Sequence, residues 1–266
     1  MRRLDSRPTC SPRLAATDGR WAFHDTTDPL TRYLRDRRQA KAIHELLRWT
    51  GSKPADWGKV LVVCGGVGGE GTFLRKQGFR DVTVSEFDPA LLRIMQERDT
   101  QLRGTACDAQ RLPFVDGSFD LVLVQDGIHH LRNPALGITE MLRVGRRAVV
   151  VIEPHEGLVA RLFGTKIERE GGQENFVFRW DRRMFVQVVS SYLVGKEFHV
   201  RTLRFWDHSL AMLRLFRWLP DRALKLSAIR VTYAALDGLG GFGGNMFVGI
   251  VVARFDARGT SKERGA

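Results

Sequence analysis

The sequence has 266 residues, of which 43% are hydrophobic and 27% charged, a balance that is ordinary for a globular protein with a full core. Its 42 Lys and Arg against 30 Asp and Glu give a net charge of +12, which favours an anionic partner. Because the basic residues are dispersed, nucleic acid is not the favoured partner. Three scattered cysteines fit neither a disulfide framework nor a zinc site. No apolar run reaches the roughly 18 residues of a membrane span, and no secretory signal follows Arg2 and Arg3, so we expect a cytoplasmic protein.

The first part of the chain precedes the predicted sheet. Residues 1–27 are basic, polar and interrupted by prolines, and we expect them to be loosely ordered. A helix is predicted from Asp28-Pro29 to about Trp49. Its apolar stripe comprises Leu34, Ala40, Ile43 and Leu47. This leading helix either covers a ligand or only packs on the sheet.

Residues 59–88 have the pattern of a nucleotide-binding unit. In chain order the pattern comprises the strand Val60–Val63, a glycine-rich turn, the helix Thr72–Gln77 ended by Gly78, the strand Val82–Val84 and the acid Glu86. The glycines allow the backbone to approach a ligand closely, and the acid can accept hydrogen bonds from a ribose. The turn also matches the G-x-G-x-x-G fingerprint of dinucleotide sites, so it favours a nucleoside-containing ligand without naming it.

The next elements continue the alternation of helix and strand. They are the helix Ala90–Arg98 capped by Asp88, a short strand ending at Asp108, the strand Phe119–Val124, the helix Ala135–Val144 and the strand Ala148–Ile152. Such alternation predicts a parallel sheet covered by helices. His129-His130 and His155 follow two of the strands, at the edge where open α/β sheets bind their ligands.

Residues from about 45 to 155 resemble class I S-adenosylmethionine-dependent methyltransferases, especially the small-molecule group that includes quinone-biosynthesis enzymes. The matching motifs occur in family order: the glycine turn, VSEFDP, CDAQRLPF, FDLVLVQDGIHHL, ITEMLRV and VVVIEP. The second acid and the LPF element distinguish this series from a nicotinamide enzyme. The resemblance implies a Rossmann-like, doubly wound, seven-stranded and mostly parallel α/β sheet with an antiparallel last strand. It also implies S-adenosyl-L-methionine as the cofactor.

The resemblance further implies a cofactor contact for individual residues. The turn residues Cys64, Gly65, Gly66 and Gly68 would approach the methionine moiety, chiefly through the backbone of Gly66 and Gly68. Glu86 would bind both ribose hydroxyls. Around adenine, Phe87 would pack on the ring, Asp108 would accept a hydrogen bond from the amino group, and Ala109 would donate its backbone N–H to the ring. The backbone near Val124 and Gln125 would face the cofactor's amino group. Carboxylates and carbonyls accept the hydrogen bonds that these cofactor groups offer.

Two positions depart from the family pattern. The acid usual on the first strand is replaced by Val62, and the first glycine of the turn is replaced by Cys64. Since that acid helps to hold the cofactor's ammonium group, either the affinity is lower or another residue substitutes. A non-binding descendant of the fold is a further interpretation, against which Glu86 and Asp108 argue.

Methyl transfer requires close alignment of the acceptor with the methyl group, and a hydroxyl acceptor also benefits from a base. His130 and His155 are the candidate bases. Alternatively, the dipeptide His129-His130 only packs and hydrogen-bonds at the strand end. No metal ligands are assigned. We expect O-methylation of a small-molecule, lipid-linked or saccharide acceptor, or of a polyketide- or quinone-like ring; the alternatives are a nucleic-acid methyltransferase and a non-catalytic binding protein.

The C-terminal third is expected to determine specificity. It comprises a substrate loop, Gly157–Trp180, the helix Asp181–Tyr192, the strand Phe198–Phe205, an insert at residues 206–245 and the last strand, Met246–Phe255. The insert has two apolar, basic segments, for which we favour a cap over the active site; contact with an anionic membrane at its inner face and a dimer interface are the alternatives. We therefore expect one methyltransferase domain over residues 28–255, with a leading helix (28–50), a cofactor-binding core (59–155), a substrate region (156–205) and a flexible tail (256–266).

Overall fold

The computed structural model describes residues 29–157, 161, 166–170, 173–239, 241 and 243–253. The helices are α1 (Pro29–Thr50), α2 (Gly69–Lys76), α3 (Pro89–Arg98), α4 (Pro134–Val144), α5 (Arg182–Tyr192), α6 (Ser209–Leu215) and α7 (Arg222–Gly238). The strands are β1 (Lys59–Val63), β2 (Asp81–Glu86), β3 (Arg103–Ala106), β4 (Phe119–Gln125), β5 (Gly145–Pro154), β6 (Ile167–Glu170), β7 (Gln173–Phe176), β8 (Phe198–Phe205) and β9 (Met246–Ala253). The expectations for residues 1–27 and for the tail lie outside the described residues.

Seven strands form one sheet in the order β3-β2-β1-β4-β5-β9-β8. Strands β1 to β5 pair in parallel, and β9 lies antiparallel between β5 and β8. The predicted doubly wound, mostly parallel sheet with an antiparallel last strand is therefore confirmed. The strand order reverses at β1, and open α/β sheets bind ligands beyond the carboxyl ends of the strands at such a point.

The central strands are buried on both faces, which explains their continuous apolar sequences. In β1, Val60 and Val62 pack into one core cluster with residues of α1, α2 and α3. Leu61 and Val63 point to the opposite face and pack with residues of α4 and α5. The period of two along the strand thus divides the core into two layers on either side of the sheet.

Several element boundaries differ from the sequence-based expectation. Helix α2 begins at Gly69 rather than at residue 72, because Gly68 adopts a left-handed conformation (φ 81°) that turns the chain directly into the helix. Glu86 is the last residue of β2 rather than lying just past it. In α1, Ala40 is exposed, so its place in the predicted stripe was wrong. The buried positions include Ala42 and Leu46 instead.

The predicted insert folds into α6 and α7, which pack on α1. Leu30 and Leu34 of α1 form a small separate core with Met212, Ile229 and Tyr233. The predicted substrate loop contains the β6–β7 hairpin and ends at a buried Trp180, which pairs with His155 in an isolated parallel bridge. Within the described part of the chain, no helix combines the length and the apolar character that crossing a bilayer requires.

Candidate active site

The carboxyl ends of β1, β2, β4 and β5 converge at the reversal of strand order. They bring together the glycine turn after β1, Glu86 at the end of β2, the loop after β4 and Glu153 near the end of β5. The sequence predicted the first two as neighbours. The contacts between the β4 loop and Glu153 depend on the parallel pairing of β4 with β5.

Glu86 connects the end of β2 to the glycine turn. Its carboxylate is buried, and Oε2 accepts a hydrogen bond from the backbone N–H of Gly66 (2.9 Å). Oε1 accepts from the N–H groups of Phe87 (2.7 Å) and Asp88 (3.3 Å). These bonds fix the acid against the turn, so the carboxylate is oriented before any ligand arrives.

The glycines of the turn have different physical roles. Gly66 has a left-handed backbone (φ 51°) and open space where a β-carbon would stand, as an approach by a ligand requires. A β-carbon on Gly68 would collide with Met95 of α3, and one on Gly71 would lie 2.9 Å from Val84 and Leu102. Packing of helix on sheet therefore accounts for Gly68 and Gly71, while Gly66 is the position that leaves room for a ligand.

Cys64 occupies the first position of the turn in a left-handed conformation (φ 53°), which glycine adopts more readily than any other residue. Its side chain packs against Gly127 of the β4 loop, where a β-carbon would overlap the Cβ of Cys64 and lie 3.2 Å from its Sγ. Burial raises the pKa of the Cys64 thiol well above its usual value, with Glu86 and Glu153 acting in the same direction. The thiol is therefore protonated and unreactive at neutral pH.

The residues implied to contact adenine lie at the β2 and β3 ends. The side chain of Phe87 is 45% exposed beside the buried Glu86, so a flat ring could stack on it. Asp108 accepts from the N–H of Gln110 (2.8 Å) and so closes the turn after β3, while Ala109 is buried. The contacts of Phe87, Asp108 and Ala109 with an adenine ring stay predictions.

The β4 end carries the predicted cofactor residue Gln125 and, close to it, the acids Asp126 and Glu70, which sequence reasoning did not single out. Oε1 of Gln125 is buried without a hydrogen-bond partner, so it can accept from a ligand that offers a donor. Asp126 has a left-handed backbone (φ 50°) and pairs with Arg38 of α1. Glu70 of α2 interacts electrostatically with Asp126, and burial raises its pKa to about 7. Val62, at the position where the resemblance implies an acid, is fully buried and apolar.

Glu153 organises the loop after β4. This fully buried carboxylate accepts from the N–H groups of Gly127 (2.9 Å) and Ile128 (2.8 Å) through Oε1, and its Oε2 lies 2.6 Å from Nδ1 of His129. His129 is itself buried and packs against the ring of His130. His129 therefore packs and hydrogen-bonds at the strand end, as the alternative interpretation of the His129-His130 dipeptide expected.

The two candidate bases occupy different environments. His130 is exposed at the edge of the sheet. His155 is buried, and its Nδ1 donates to the carbonyl oxygen of Trp180 (2.9 Å), which leaves Nε2 as the acceptor. Burial lowers the pKa of His155, so the ring is neutral at neutral pH and Nε2 can take a proton.

A surface depression of about 580 Å³ lies at the opposite, amino-terminal edge of the sheet. Lys53, Arg75 and Arg80 line it, and it contains none of the predicted site residues. Its lining offers no acid for a ribose and no candidate base. The carboxyl edge therefore remains the candidate active site.

The site fits a nucleoside ligand with a methionine moiety on three observations. Glu86 is buried and oriented, Gly66 is open, and Phe87 presents an exposed ring next to them. Gln125 adds an unpartnered acceptor at the end where the cofactor's amino group is expected.

Comparison with known proteins agrees with this geometry. Residues 61–152 match the model of the family described as Methyltransferase domain. A demethylmenaquinone methyltransferase of Beutenbergia cavernae is 32% identical over 123 residues, which are 46% of this chain and 49% of that protein. A ubiquinone/menaquinone biosynthesis C-methyltransferase of Stenotrophomonas maltophilia is 31% identical over 100 residues, which are 35% of this chain and 39% of that protein. The chain therefore spans about half, or less, of the length of these curated relatives.

A solved structure shows the same fold over most of the chain. Phosphoethanolamine N-methyltransferase 2 of Haemonchus contortus, in complex with S-adenosyl-L-methionine, matches with a TM-score of 0.52 at 14% identity. The match covers 81% of this chain and 52% of that one. Residues 61–152 therefore match a methyltransferase domain, and the fold over most of the chain is that of a solved methyltransferase structure.

Proposed function

We propose that the protein transfers a methyl group from S-adenosyl-L-methionine to a small-molecule acceptor, at a hydroxyl oxygen. The observation that supports the cofactor most directly is the buried Glu86 carboxylate held against the open turn at Gly66. Cofactor and acceptor would meet at the carboxyl edge of the sheet, where both candidate bases lie. When bound, the cofactor supplies an electrophilic methyl group on a sulfonium centre.

The hydrogen bonds of Glu86 indicate how it would hold a ribose. A carboxylate has about four acceptor positions. Three backbone N–H groups already donate to the Glu86 carboxylate, so one acceptor position is left for a ribose hydroxyl without any movement. A second hydroxyl would replace the longest of the three bonds, the 3.3 Å contact with the N–H of Asp88. The turn would thus stay closed while the ribose binds.

The acceptor requires a group that can take its proton. In His155 the bond from Nδ1 to Trp180 fixes the tautomer and leaves Nε2 basic, and the lowered pKa keeps the ring neutral. Such a histidine can deprotonate a hydroxyl that lies within hydrogen-bond reach. His130, exposed at the same edge, is the second candidate.

A ring carbon next to a hydroxyl is the second candidate acceptor. The names of the two curated relatives favour it, since one is a demethylmenaquinone methyltransferase and the other a C-methyltransferase of quinone biosynthesis. Deprotonating a ring hydroxyl makes both its oxygen and the neighbouring ring carbons nucleophilic. The same base therefore serves both reactions, and the acceptor class we propose is a hydroxylated ring.

Calorimetric titration with S-adenosyl-L-methionine and with its demethylated product tests the cofactor site. We expect Glu86→Gln to bind both ligands about 10- to 100-fold more weakly than the wild type, because it loses charge-assisted hydrogen bonds to the ribose. Glu97→Ala, an exposed acid on α3, is the matched control and should bind like the wild type. Folded wild-type protein that binds neither ligand would favour the non-catalytic interpretation instead.

Labelled S-adenosyl-L-methionine and a panel of phenols, hydroquinones and hydroxylated saccharides test the acceptor. Product analysis distinguishes O-methylation from C-methylation. His155→Gln and His130→Gln, compared over a range of pH, identify the base, since the variant that lacks the base loses the acidic limb of the rate profile. Methylation of nucleic acid, with salt-dependent binding and no small-molecule product, would contradict the proposal.

A further inference from the structure

We propose that the α6–α7 corner and the outer face of α7 form a docking surface for an anionic lipid bilayer. This surface comprises residues 214–225 and the exposed positions of α7. The inference does not depend on the proposed function, because it rests on a part of the chain outside the matched residues 61–152.

Large apolar side chains are exposed along this surface. Leu215 is 55% exposed, Trp218 71%, Leu224 58% and Val231 70%. Leu224 and Val231 are seven residues apart on α7, so they lie on the same face, two turns from each other. The opposite face buries Ile229 in the small core with α1.

Most of the remaining exposed positions of α7 carry small side chains without charge. They include Ala223, Ser227, Ala234 and Ala235. Beyond the first turn of α7 the exposed charged residue is Arg230, whose guanidinium lies over the ring of Tyr33 in α1. The outer face of α7 therefore has no acidic residue and little polar surface, which is unusual because a soluble helix normally has a polar outer face. Contiguous exposed apolar surface usually marks an interaction site.

The charge at the corner indicates the chemistry of the partner. Between residues 214 and 225 the bases are Arg214, Arg217, Arg222 and Lys225, and the acid is Asp221. Asp221 caps α7 by accepting from the N–H of Leu224 (2.8 Å). Exposed Trp and Leu side chains next to Arg and Lys are the pattern of helices that lie in a membrane interface. Basic residues add electrostatic attraction to anionic headgroups.

The same charges disfavour a second copy of the chain as the partner. A two-fold symmetric interface would bring the same patch of both copies together, so it would collect four bases and one acid from each chain. Like charges placed opposite each other oppose association, whereas anionic headgroups would neutralise them. An anionic bilayer satisfies both the apolar and the basic part of the surface.

Vesicle flotation with the full chain tests this proposal. We expect the wild type to float with vesicles of phosphatidylcholine and phosphatidylglycerol at low salt, and not with phosphatidylcholine alone. Bound protein should decrease at high salt because screening weakens the attraction. Arg214→Glu/Arg217→Glu should lower the partition coefficient at least about tenfold, given the contribution of each basic residue near an anionic surface.

Two further variants test the effect of overall net charge and the contribution of the exposed tryptophan separately. Arg93→Glu/Arg98→Glu changes the net charge equally on exposed positions of α3 and should bind like the wild type. Trp218→Ser removes an exposed side chain, so it should keep the thermal unfolding midpoint while it weakens flotation. Retained folding makes its binding result interpretable.

Three outcomes would overturn the proposal. They are no flotation with anionic vesicles, equal loss of binding in the α3 control, and a concentration-dependent dimer in sedimentation velocity that Trp218→Ser abolishes. The last result would assign the surface to a second copy instead. Cofactor titration is independent of all three, so a failure here leaves the proposed function testable.

Discussion

At the scale of single residues, the side chain at position 64 decides whether position 127 can carry a β-carbon. Cys64 stands in a left-handed position where glycine is usual, and its side chain fills the space that any β-carbon on Gly127 would need. The φ of Gly127 is −120°, which any residue can adopt, so close packing rather than backbone conformation requires glycine there. The substitution at position 64 is thus tolerated through a contact with the loop after β4.

A double-mutant cycle measures this coupling. Gly127→Ala should lower the free energy of unfolding by about 2 kcal/mol through overpacking. Cys64→Gly removes the colliding atoms, so the double variant should recover at least about 1 kcal/mol of that loss. Urea unfolding of the four proteins gives the coupling energy, and simple additivity of the two single variants would contradict the assigned contact.

Glu70 makes stability depend on pH. Its pKa is raised to about 7, chiefly by burial and further by Asp126, so the folded protein holds this proton more tightly than the unfolded chain does. The resulting stabilisation is fully present below a pH of about 4.5, the unfolded value, and is lost as the pH rises through about 7.

We therefore expect Glu70→Gln to flatten the pH dependence of unfolding between about pH 5 and pH 7.5. Because the carboxyl group is only partly buried, the difference between the two proteins should be about 1–2 kcal/mol over that interval. Urea unfolding at both pH values measures it. A wild type that gains stability relative to Glu70→Gln as the pH rises would show that the carboxylate is not disfavoured in the folded state.

The buried pair of Glu153 and His129 shows where residue-level prediction failed. The sequence predicted His129, His130 and His155 at the carboxyl edge of the sheet, and it proposed His130 and His155 as bases. It did not identify Glu153 as the acceptor for the loop, because that contact joins residues 24 to 26 positions apart whose proximity depends on the pairing of β4 with β5. The signal in the sequence that could have identified Glu153 was its position as an acid at the end of a buried strand.

At the scale of elements, α1 is held by ion pairs as well as by apolar packing. Arg38 bridges Asp126 after β4 and the fully buried Asp207 after β8, with a 3.0 Å bond to the latter. Arg37 donates to Asp237 of α7 (2.8 Å) and lies over the ring of Tyr233. The helix thus connects the candidate active site to the α6–α7 unit.

Arg38→Ala should lower the free energy of unfolding by about 3 kcal/mol, because it leaves the carboxylate of Asp207 buried with incomplete pairing. Arg48→Ala on the same helix is the control. It breaks the pair between the exposed Arg48 and the buried Glu45, which Arg201 still contacts, so it should change stability by no more than about 1 kcal/mol. Equal effects in thermal unfolding would show that Arg38 contributes only as a surface charge.

Element prediction succeeded where local signals were complete. The cap Asp88, which accepts from the N–H of Ala90 (2.8 Å), marked the start of α3, and Gly78 (φ 102°) marked the end of α2. Prediction was wrong for the α1 stripe at Ala40. Periodicity counts apolar side chains, whereas α1 also buries Arg37, Gln39 and Glu45. The ionic partners of Arg37 and Glu45 include residues on distant elements, which leave no local signal.

At the scale of the whole molecule, the cofactor should stabilise the fold by mass action. Ligand at about 100 times its dissociation constant adds about 2.7 kcal/mol to the free energy of unfolding. For a chain of this size that corresponds to a rise of about 5–10 °C in the unfolding midpoint. Differential scanning fluorimetry with S-adenosylhomocysteine measures the shift, and Glu86→Gln at the same ligand concentration should show a smaller one. An equal shift in both would place the ligand elsewhere.

The sequence by itself determined the order of the main strands and helices, the glycine turn, the acid that ends β2 and the resemblance to methyltransferases, since these depend on local periodicity and on motif spacing. Tertiary structure decided which groups face each other across the carboxyl edge: Cys64 with Gly127, Glu153 with the β4 loop, and Arg38 with Asp126 and Asp207. It also decided that the outer face of α7 stays uncovered among the described residues. The reason is physical, because hydrogen bonds, ion pairs and burial between distant elements form only once strand pairing has brought them together.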